Sequence, residues 1–328
     1  MNKTLLKSVR EYKKQSVLAP FFVILEVLME VLIPMEMAKI IDVGIMQGNL
    51  SYIVRRGLIL VIMAMLALYF GIIAGKMAAI AGAGYAKNLR HDIFYKVQEF
   101  SFKNIDRFST SGLVTRMTTD ITNVQMAYMT IIRIAIRCPL MLVFSFVMAF
   151  IMGGKMAWIF LFTIPVLGIA LFIVIKKAMP VFKKVFKKYD RLNNSIQENI
   201  KGMRVVKSYV REEYEKEKFG SAAEDICKDF TKAERILAFN NPIMQFCTYA
   251  TMIFVLTYGS YTVITSRGLD LDVGQMSALL TYNFQILMSL MMISMVFVMI
   301  TMASESAARI VEVLKEESTI HNPENPVF

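Results

Sequence analysis

The chain has 328 residues, a net charge of +11 and a mean hydropathy of +0.50, and 56% of its residues are hydrophobic against 19% charged. This combination is unusual for a soluble domain and ordinary for a membrane protein with polar loops. A soluble protein that binds nucleic acid could carry the same charge, but the placement of the basic residues described below accounts for it, so no nucleic-acid partner is expected.

Residues 1–15 predict a short helix that precedes the first membrane span. Leu5, Leu6, Val9 and Tyr12 recur at helical spacing between basic residues. An amphipathic helix of this kind lies in the plane of the membrane surface. We therefore expect an interfacial helix at the N-terminus.

Long uncharged runs predict the membrane spans. A helix needs about 20 apolar residues to cross the hydrocarbon core. The first span contains Glu26, Glu30, Glu36 and Lys39, and it is too long and too acidic for a cleaved signal peptide. The sequence predicts an all-α membrane protein with six spans, at about residues 17–41, 57–76, 133–153, 156–179, 242–266 and 273–304.

The distribution of lysine and arginine predicts the orientation. Residues 1–15 hold five of them, 86–128 hold six, 176–240 hold sixteen and 300–328 hold two. The opposite segments hold only Arg55, Arg56, Lys155 and Arg267. An excess of positive charge marks cytoplasmic loops, so both termini and both long basic segments are expected in the cytoplasm.

The two long cytoplasmic segments are predicted to be helical hairpins. Beyond Pro180 apolar residues continue at helical spacing, so the fourth helix is expected to run from near Met156 to about Val206. Fifty residues make roughly 75 Å of helix against roughly 30 Å of hydrocarbon. The chain then turns within RVVKSYVREEYEKEKF, residues 204–219, and returns towards Pro242.

Both hairpin tips are candidate docking surfaces for a cytosolic partner. They combine polar side chains with aromatic ones, which a purely solvated tip would not need. The alternative is a solvated tip held helical by pairs such as Glu212 with Lys216. The candidate contact residues are Asn104, Ile105, Asp106, Arg107 and Phe108 in the first hairpin and Arg211, Glu212, Glu213, Tyr214 and Glu215 in the second.

Four charged residues inside the predicted spans form a second group of candidates. Glu26 and Glu30 are four residues apart on the first span, as are Arg133 and Arg137 on the third. Intramembrane charges are costly and usually face a partner or a wet cavity. Two interpretations stay open: interhelical ion pairs that fix packing, or the lining of an inward-facing cavity for cationic or amphipathic substrates.

The sixth span concentrates methionines at a spacing of three to four residues. They form either ordinary packing or a deformable wall for varied apolar ligands, because thioethers are flexible and polarizable. The candidate wall residues are Met288, Met292, Met295 and Met299.

Three stretches resemble the transmembrane domain of a bacterial ABC exporter of the type IV class. The first is Leu89-Arg90 with Phe94, followed by STSGLVTRMTTDITNVQ; the second is GMRVVKSYVREEYEKEKF; the third is SAARIVEVLKE. The residues around SFKNIDRFSTSGLVTR are most similar to half-transporters of heterodimeric multidrug exporters. Those commonly have a double aromatic before the acidic residue, where this chain has Asn104 and Ile105.

The resemblance implies a domain plan and partners. It implies an N-terminal elbow helix at 1–15, a six-span domain at 16–317 and the start of a linker to a nucleotide-binding domain at 318–328. The hairpin tips would be coupling helices, and the partners would be nucleotide-binding domains, a second half-transporter in a heterodimer and the bilayer of the bacterial plasma membrane. No G-x-x-x-x-G-K-[ST] loop occurs here, so either the sequence is a piece of a longer chain or the ATPase is a separate polypeptide.

The expected activity is ATP-driven export of amphipathic, multidrug-like molecules by alternating access. ATP and magnesium would bind the nucleotide-binding domains, and no catalytic residue, cofactor or metal is expected in this chain, whose His91 and His321 are isolated. Lipid or peptide export on the same scaffold is the first alternative. An ATP-independent channel or ion-coupled carrier is the second, although such a protein has no reason for the long cytoplasmic hairpins.

Overall fold

A computed structural model describes residues 3–266 and 270–318, and this part of the chain consists of helices joined by turns and short connections, without strands. Two short segments, Arg10–Tyr12 and Gly154–Ala157, are 3-10 helices, and π-helical turns occupy Ile40–Ile45 and Arg116–Asp120. The all-α prediction is therefore confirmed. The α-helices are α1 (Lys3–Lys7), α2 (Lys13–Lys39), α3 (Leu50–Gln98), α4 (Phe102–Phe108), α5 (Thr110–Thr115), α6 (Ile121–Gly153), α7 (Trp158–Lys201), α8 (Met203–Ser208), α9 (Glu212–Ala238), α10 (Asn240–Ser266) and α11 (Val273–Lys315).

Five continuous helical stretches of the described chain are long and apolar enough to cross a membrane. One of them, Thr110–Lys201, contains both α6 and α7, and each of these is longer than the roughly 20 residues that a span requires. The chain is thus a multi-pass membrane protein, and the number of six spans stays a prediction. The stretches are Arg10–Ile45, Leu50–Gln98, Thr110–Lys201, Glu212–Ser266 and Val273–Lys315.

Several helices continue well beyond their predicted spans. Helix α3 runs on from residue 76 to Gln98, which is about 33 Å of additional helix. Helix α7 ends at Lys201, and after Gly202 the short helix α8 continues to Ser208, close to the end predicted at Val206. The predicted turn between the two halves of the second hairpin falls at residues 209–211, directly before α9.

The chain divides into two compact units. The main unit comprises Met1–Phe160 and Met252–Phe328, and the second unit comprises Leu161–Thr251. The second unit contains α8, α9, most of α7 and the first part of α10, residues 240–251. In it, the Lys188 ammonium lies 2.8 Å from the Asp229 carboxylate, and the rings of Phe182 and Phe230 meet edge to face with their centroids 6.0 Å apart. The α7–α9 pairing is therefore held by both apolar and charged contacts.

The core of the main unit lies where α3, α6 and α11 extend beyond the predicted spans. Tyr85, Leu89, Ile121 and Ile310 are fully buried in it. The N-terminal residues join this core, because Leu5 is fully buried against it, while Leu6 stays exposed. Part of the apolar stripe that predicted a membrane-surface helix thus packs on protein.

Two local features fix the ends of the membrane helices in the main unit. Helix α6 ends at Gly153 because the next residue, Gly154, has a φ of +49°, a conformation that residues other than glycine rarely adopt. Helix α11 begins with a capping box in which Asp272 and Gln275 satisfy each other's backbone N–H groups. The Gly274 N–H also donates to the Asp42 carboxylate at 2.6 Å, which ties this end of α11 to the end of the first membrane helix.

Candidate functional site

Three of the four predicted intramembrane charges form one cluster in the main unit. The guanidinium of Arg137 on α6 donates to Glu26 at 2.7 Å and to both carboxylate oxygens of Glu30 at 2.7 and 2.8 Å, and both acids lie on α2. Glu26 is only 6% exposed. This geometry is the interhelical ion pair that the spacing suggested, with one arginine serving two carboxylates.

The fourth charge, Arg133, lies in a different setting. It makes no ion pair at contact distance within residues 3–266 and 270–318, and its Nη1 lies 3.3 Å from the position that a Cβ at Gly75 would occupy. Together with Glu26, Glu30 and Lys76 it lines a cleft of about 660 Å³ between α2, α3 and α6. For Arg133 the cavity interpretation therefore describes the surroundings better than the packing one.

A glycine keeps the cleft open on the side of α3. A Cβ at Gly71 would lie 3.1 Å from Oε1 of Glu26 and 3.5 Å from its Oε2. Any larger side chain at this position would press on the carboxylate and occupy the cleft. The absence of a side chain at Gly71 and Gly75 thus gives access to the charged residues behind them.

The predicted methionine wall on α11 is divided between two environments. Met288, Met292 and Met295 are exposed, whereas Met299 is half-buried and its sulfur accepts a hydrogen bond from Thr130 on α6 at 3.3 Å. Three of the four side chains are free to meet a ligand, lipid or another subunit. The fourth contributes to packing within the main unit.

The first hairpin tip is built around α4, which has one side buried against the core and the other side exposed. Asn104 and Phe108 are buried, the latter with its ring stacked on Phe100 at 5.7 Å. Ile105 is half-buried, and Asp106 and Arg107 are exposed. Of the five predicted contact residues, Asp106 and Arg107 therefore lie on the outer surface, whereas Asn104 and Phe108 fix the helix to the core.

Ion pairs that the sequence does not predict connect this hairpin to the end of α11. Arg309 donates to the two oxygens of Asp120 at 2.8 and 2.5 Å, and Asp120 is 1% exposed. Arg116 reaches Glu312 at 2.8 Å. A further pair joins Arg107 to Glu316. We name these pairs the ion-pair ladder; its members are Asp120–Arg309, Arg116–Glu312 and Arg107–Glu316.

The ladder continues into the fold of α4 itself. Arg107 contacts both oxygens of Glu316, at 2.9 and 3.0 Å, and the Asn104 amide donates to the same carboxylate at 2.9 Å. The signal in the sequence is the spacing of Arg309, Glu312 and Glu316, which lie three and four residues apart and therefore share one face of a helix. What the sequence could not indicate is that the first hairpin supplies the opposite charges.

The second hairpin tip, in the second unit, is mostly exposed. Tyr214 and Glu213 are exposed, Arg211 is exposed, and Glu212 and Glu215 are half-buried. Glu215 accepts a hydrogen bond from Asn199 at 2.8 Å. The pair predicted between Glu212 and Lys216 is replaced by one between Glu213 and Lys216, at 2.7 Å, because Lys216 can reach either acid on the same helical face.

The most exposed apolar residues of this tip lie in its turn. Tyr209 is 76% exposed and Val210 is 82% exposed. Val210 has a φ of +51°, which is a strained conformation for a β-branched residue. The sequence predicted Tyr214 as a contact residue and contained no signal for Val210, whose exposure and backbone conformation are visible only in the structure.

Comparison with known proteins identifies the scaffold. A family model described as the ABC transporter transmembrane region matches residues 16–302. The chain belongs to this family. The resemblance drawn from the three sequence motifs, to the membrane domain of a type IV ABC exporter, is thereby confirmed.

The curated relatives of this ABC transporter transmembrane region are bacterial and longer. The chain is 27% identical over 324 residues to the "Uncharacterized ABC transporter ATP-binding protein Rv1273c" of Mycobacterium tuberculosis (strain ATCC 25618 / H37Rv), covering 99% of this chain and 55% of that protein. It is 28% identical over 312 residues to YfiB of Bacillus subtilis (strain 168), with coverages of 95% and 54%. It thus spans about half the length of these relatives.

One relative has a more specific name. The "ATP-dependent lipid A-core flippase" of Aromatoleum aromaticum (strain DSM 19018 / LMG 30748 / EbN1) is 27% identical over 215 residues, which cover 64% of this chain and 34% of that protein.

Within the described part of this ABC transporter domain, no group of three or more histidine, cysteine, aspartate or glutamate residues is arranged to hold a metal ion.

Proposed function

We propose that the chain is the permease half of an ATP-driven exporter that moves amphipathic small molecules out of the cytoplasm by alternating access. The observation that carries this proposal is the cleft between α2, α3 and α6, in which Glu30, Lys76 and Arg133 lie beside exposed Leu68 and Ile72. Charged side chains in a membrane helix raise the free energy of the protein unless they face a partner or a wet cavity. A ligand with a polar head and an apolar body would satisfy both surfaces of the cleft.

The energy source in this proposal lies outside the chain. ATP and magnesium bind nucleotide-binding domains, which fits the relatives' names as ATP-binding proteins and their greater length. The surfaces proposed to meet those domains are the outer side of α4, with Asp106 and Arg107, and the second hairpin tip, with Tyr214. A second half-transporter completes a heterodimer in the bacterial plasma membrane, with both termini in the cytoplasm.

The test of this proposal is to fill the cleft and measure transport. In the complete transporter in proteoliposomes, Gly71→Leu should reduce both substrate-stimulated ATP hydrolysis and uptake of a hydrophobic cation, because the new side chain occupies the space beside Glu26. Gly57→Leu is the matched control, since a Cβ at Gly57, also on α3, would meet no atom within 4 Å. Unchanged transport by a stably folded Gly71→Leu protein would rule out this cleft as the substrate site.

Export of a lipid is the second candidate, and two observations favour it. One relative is named as a lipid A-core flippase, and the apolar residues of the cleft are exposed on the surface of α3. Measuring ATPase stimulation with a panel of phospholipids against a panel of hydrophobic drugs separates the candidates. Stimulation by phospholipids alone would favour the flippase.

A further inference from the structure

The charged residues at the cleft between α2, α3 and α6 carry more positive than negative charge, with three cations against two carboxylates. Arg137 already serves Glu26 and Glu30, so these three residues together carry one negative charge if all are ionised. Arg133 and Lys76 add two positive charges, and neither makes an ion pair at contact distance in the described part of the chain. An anionic group in the cleft would therefore be attracted to the end that Arg133 and Lys76 form.

The same cleft contains an acceptor that lacks a donor. The Oε2 atom of Glu26 is buried and has no hydrogen-bond partner among the described residues, although the carboxylate's other oxygen is bonded to Arg137. A buried acceptor without a donor is unfavourable, and more so when it is charged. Glu30, the neighbouring carboxylate, is partly exposed in the cleft. A cationic N–H donor would satisfy this acidic end.

The position of the cleft along the helices indicates where such a ligand would come from. Lys76 is the last residue of the predicted second span and Arg133 is the first of the predicted third span, so both belong at the cytoplasmic edge of the hydrocarbon. Leu68, eight residues before Lys76 on α3 and thus about 12 Å further into the membrane, is exposed, as is Ile72. Acyl chains of the cytoplasmic leaflet would run along these two side chains.

We infer that this cleft binds an amphiphile whose head group carries both a phosphate and a primary ammonium group, as an aminophospholipid of the cytoplasmic leaflet does. The phosphate pairs with Arg133 and Lys76, and the ammonium donates to Glu26 and Glu30. The inference rests on the proposed function and names the chemistry of its ligand. The volume of about 660 Å³ is in the usual range for small-molecule sites.

The test measures binding without nucleotide, so that it does not depend on transport. The complete transporter in detergent is titrated with phosphatidylethanolamine, phosphatidylcholine, phosphatidylglycerol and inorganic phosphate, and bound lipid is counted by native mass spectrometry. Phosphatidylcholine lacks the N–H donors and phosphatidylglycerol lacks the ammonium. Since a hydrogen bond to a charged group contributes about 1.5–3 kcal/mol, phosphatidylethanolamine should bind roughly tenfold or more tightly than either.

Variants assign the two ends of the head group. Glu30→Gln should remove the preference for phosphatidylethanolamine over phosphatidylcholine. The variant should still fold, because Arg137 retains its hydrogen bond to Glu26. Arg133→Gln and Lys76→Gln should weaken binding of all three phospholipids. Arg55→Gln is the control, since Arg55 is an exposed cation on α3 outside the cleft. Melting temperatures of all variants identify any that are merely misfolded.

Equal binding of the three phospholipids, a preference that survives Glu30→Gln, or competition by inorganic phosphate as strong as that by lipid would each overturn the inference. The last result would mean that the cleft is a simple anion site. Failure of the proposed function is a separate result, because a protein without ATP-driven transport could still show the predicted lipid preference. Conversely, drug export could persist in a protein that shows none.

Discussion

The two hairpin tips have the same predicted role and opposite construction. The first, around α4, is fixed to its own unit by the buried Asn104 and Phe108 and by the ion-pair ladder to α11. The second ends in an exposed turn with Tyr209 and the strained Val210. The comparison indicates that one tip is pre-organised by its surroundings, whereas the other presents apolar side chains that nothing in its own unit covers.

This difference has a consequence for how force would pass through each tip. A tip whose contacts to α11 are charged and partly buried would move together with that helix. An exposed tip with a few large side chains resembles the centre of a small interface, where aromatic anchors dominate the binding energy. The first hairpin is therefore sensitive to changes that loosen it from α11, and the second to changes that remove its exposed side chains.

The largest effect is expected at the buried end of the ladder. Asp120→Ala removes a buried carboxylate and both hydrogen bonds from Arg309, and it should cost about 2 kcal/mol of the free energy of unfolding. A larger loss is not expected, because Arg309 is partly exposed and can be hydrated. The measurements are the melting temperature and hydrogen exchange over residues 102–120, which should become faster.

The control for this change is Asp106→Ala, which removes an exposed carboxylate of the same hairpin. It should leave the melting temperature and the hydrogen exchange of residues 102–120 unchanged. If Asp106→Ala loosens the hairpin as much as Asp120→Ala, the ladder does not organise it.

At the second tip, Tyr214→Ala should cost on the order of 2 kcal/mol of docking onto a nucleotide-binding domain while the spans fold normally. In the complete transporter this predicts uncoupling: ATP hydrolysis persists while transport and substrate stimulation fall. Glu213→Gln should have a much smaller effect, because exposed ion pairs contribute little. The same measurements on Tyr209→Ala test whether the exposed ring in the turn also contributes to docking. Transport at the wild-type rate in Tyr214→Ala, or a larger loss in Glu213→Gln, would show that Tyr214 is not the anchor.

Val210→Gly separates backbone strain from side-chain contact in the same turn. Glycine adopts a φ of +51° without steric cost, so the substitution should stabilise the second unit by up to about 1 kcal/mol, measured as a higher melting temperature. If the valine side chain docks, transport should fall in spite of this gain. Stabilisation with full transport would mean that the side chain serves no interface.

The smallest effect concerns acid stability of the second unit. The Lys188 ammonium, with a further contribution from Lys184, lowers the pKa of the Asp229 carboxyl. A lowered pKa in the folded state means that the stabilisation is complete above the ordinary pKa of about 4 and is lost as the pH falls through the lowered value. Asp229→Asn should therefore flatten the dependence of the melting temperature on pH below about pH 4. An unchanged dependence would show that this pair does not contribute.

The all-α class, the membrane character and the turn of the second hairpin within residues 204–219 could all be predicted from the sequence. These follow from signals that lie close together in the chain: uncharged runs, a helical period of apolar residues and blocks of lysine and arginine. The second hairpin illustrates this, because α8 ends at Ser208 and α9 begins at Glu212, inside the charged stretch that was predicted to be the turn.

The partners that side chains find on distant helices depend on packing and could not be predicted from the sequence. A spacing of four residues places Arg133 and Arg137 on one face, but the rotation and packing of α6 against α2 and α3 give both carboxylates to Arg137 and direct Arg133 into the cleft. In the same way, Asn104 and Asp120 became internal partners of α11. Helical periodicity defines which residues share a face, and only packing defines what that face meets.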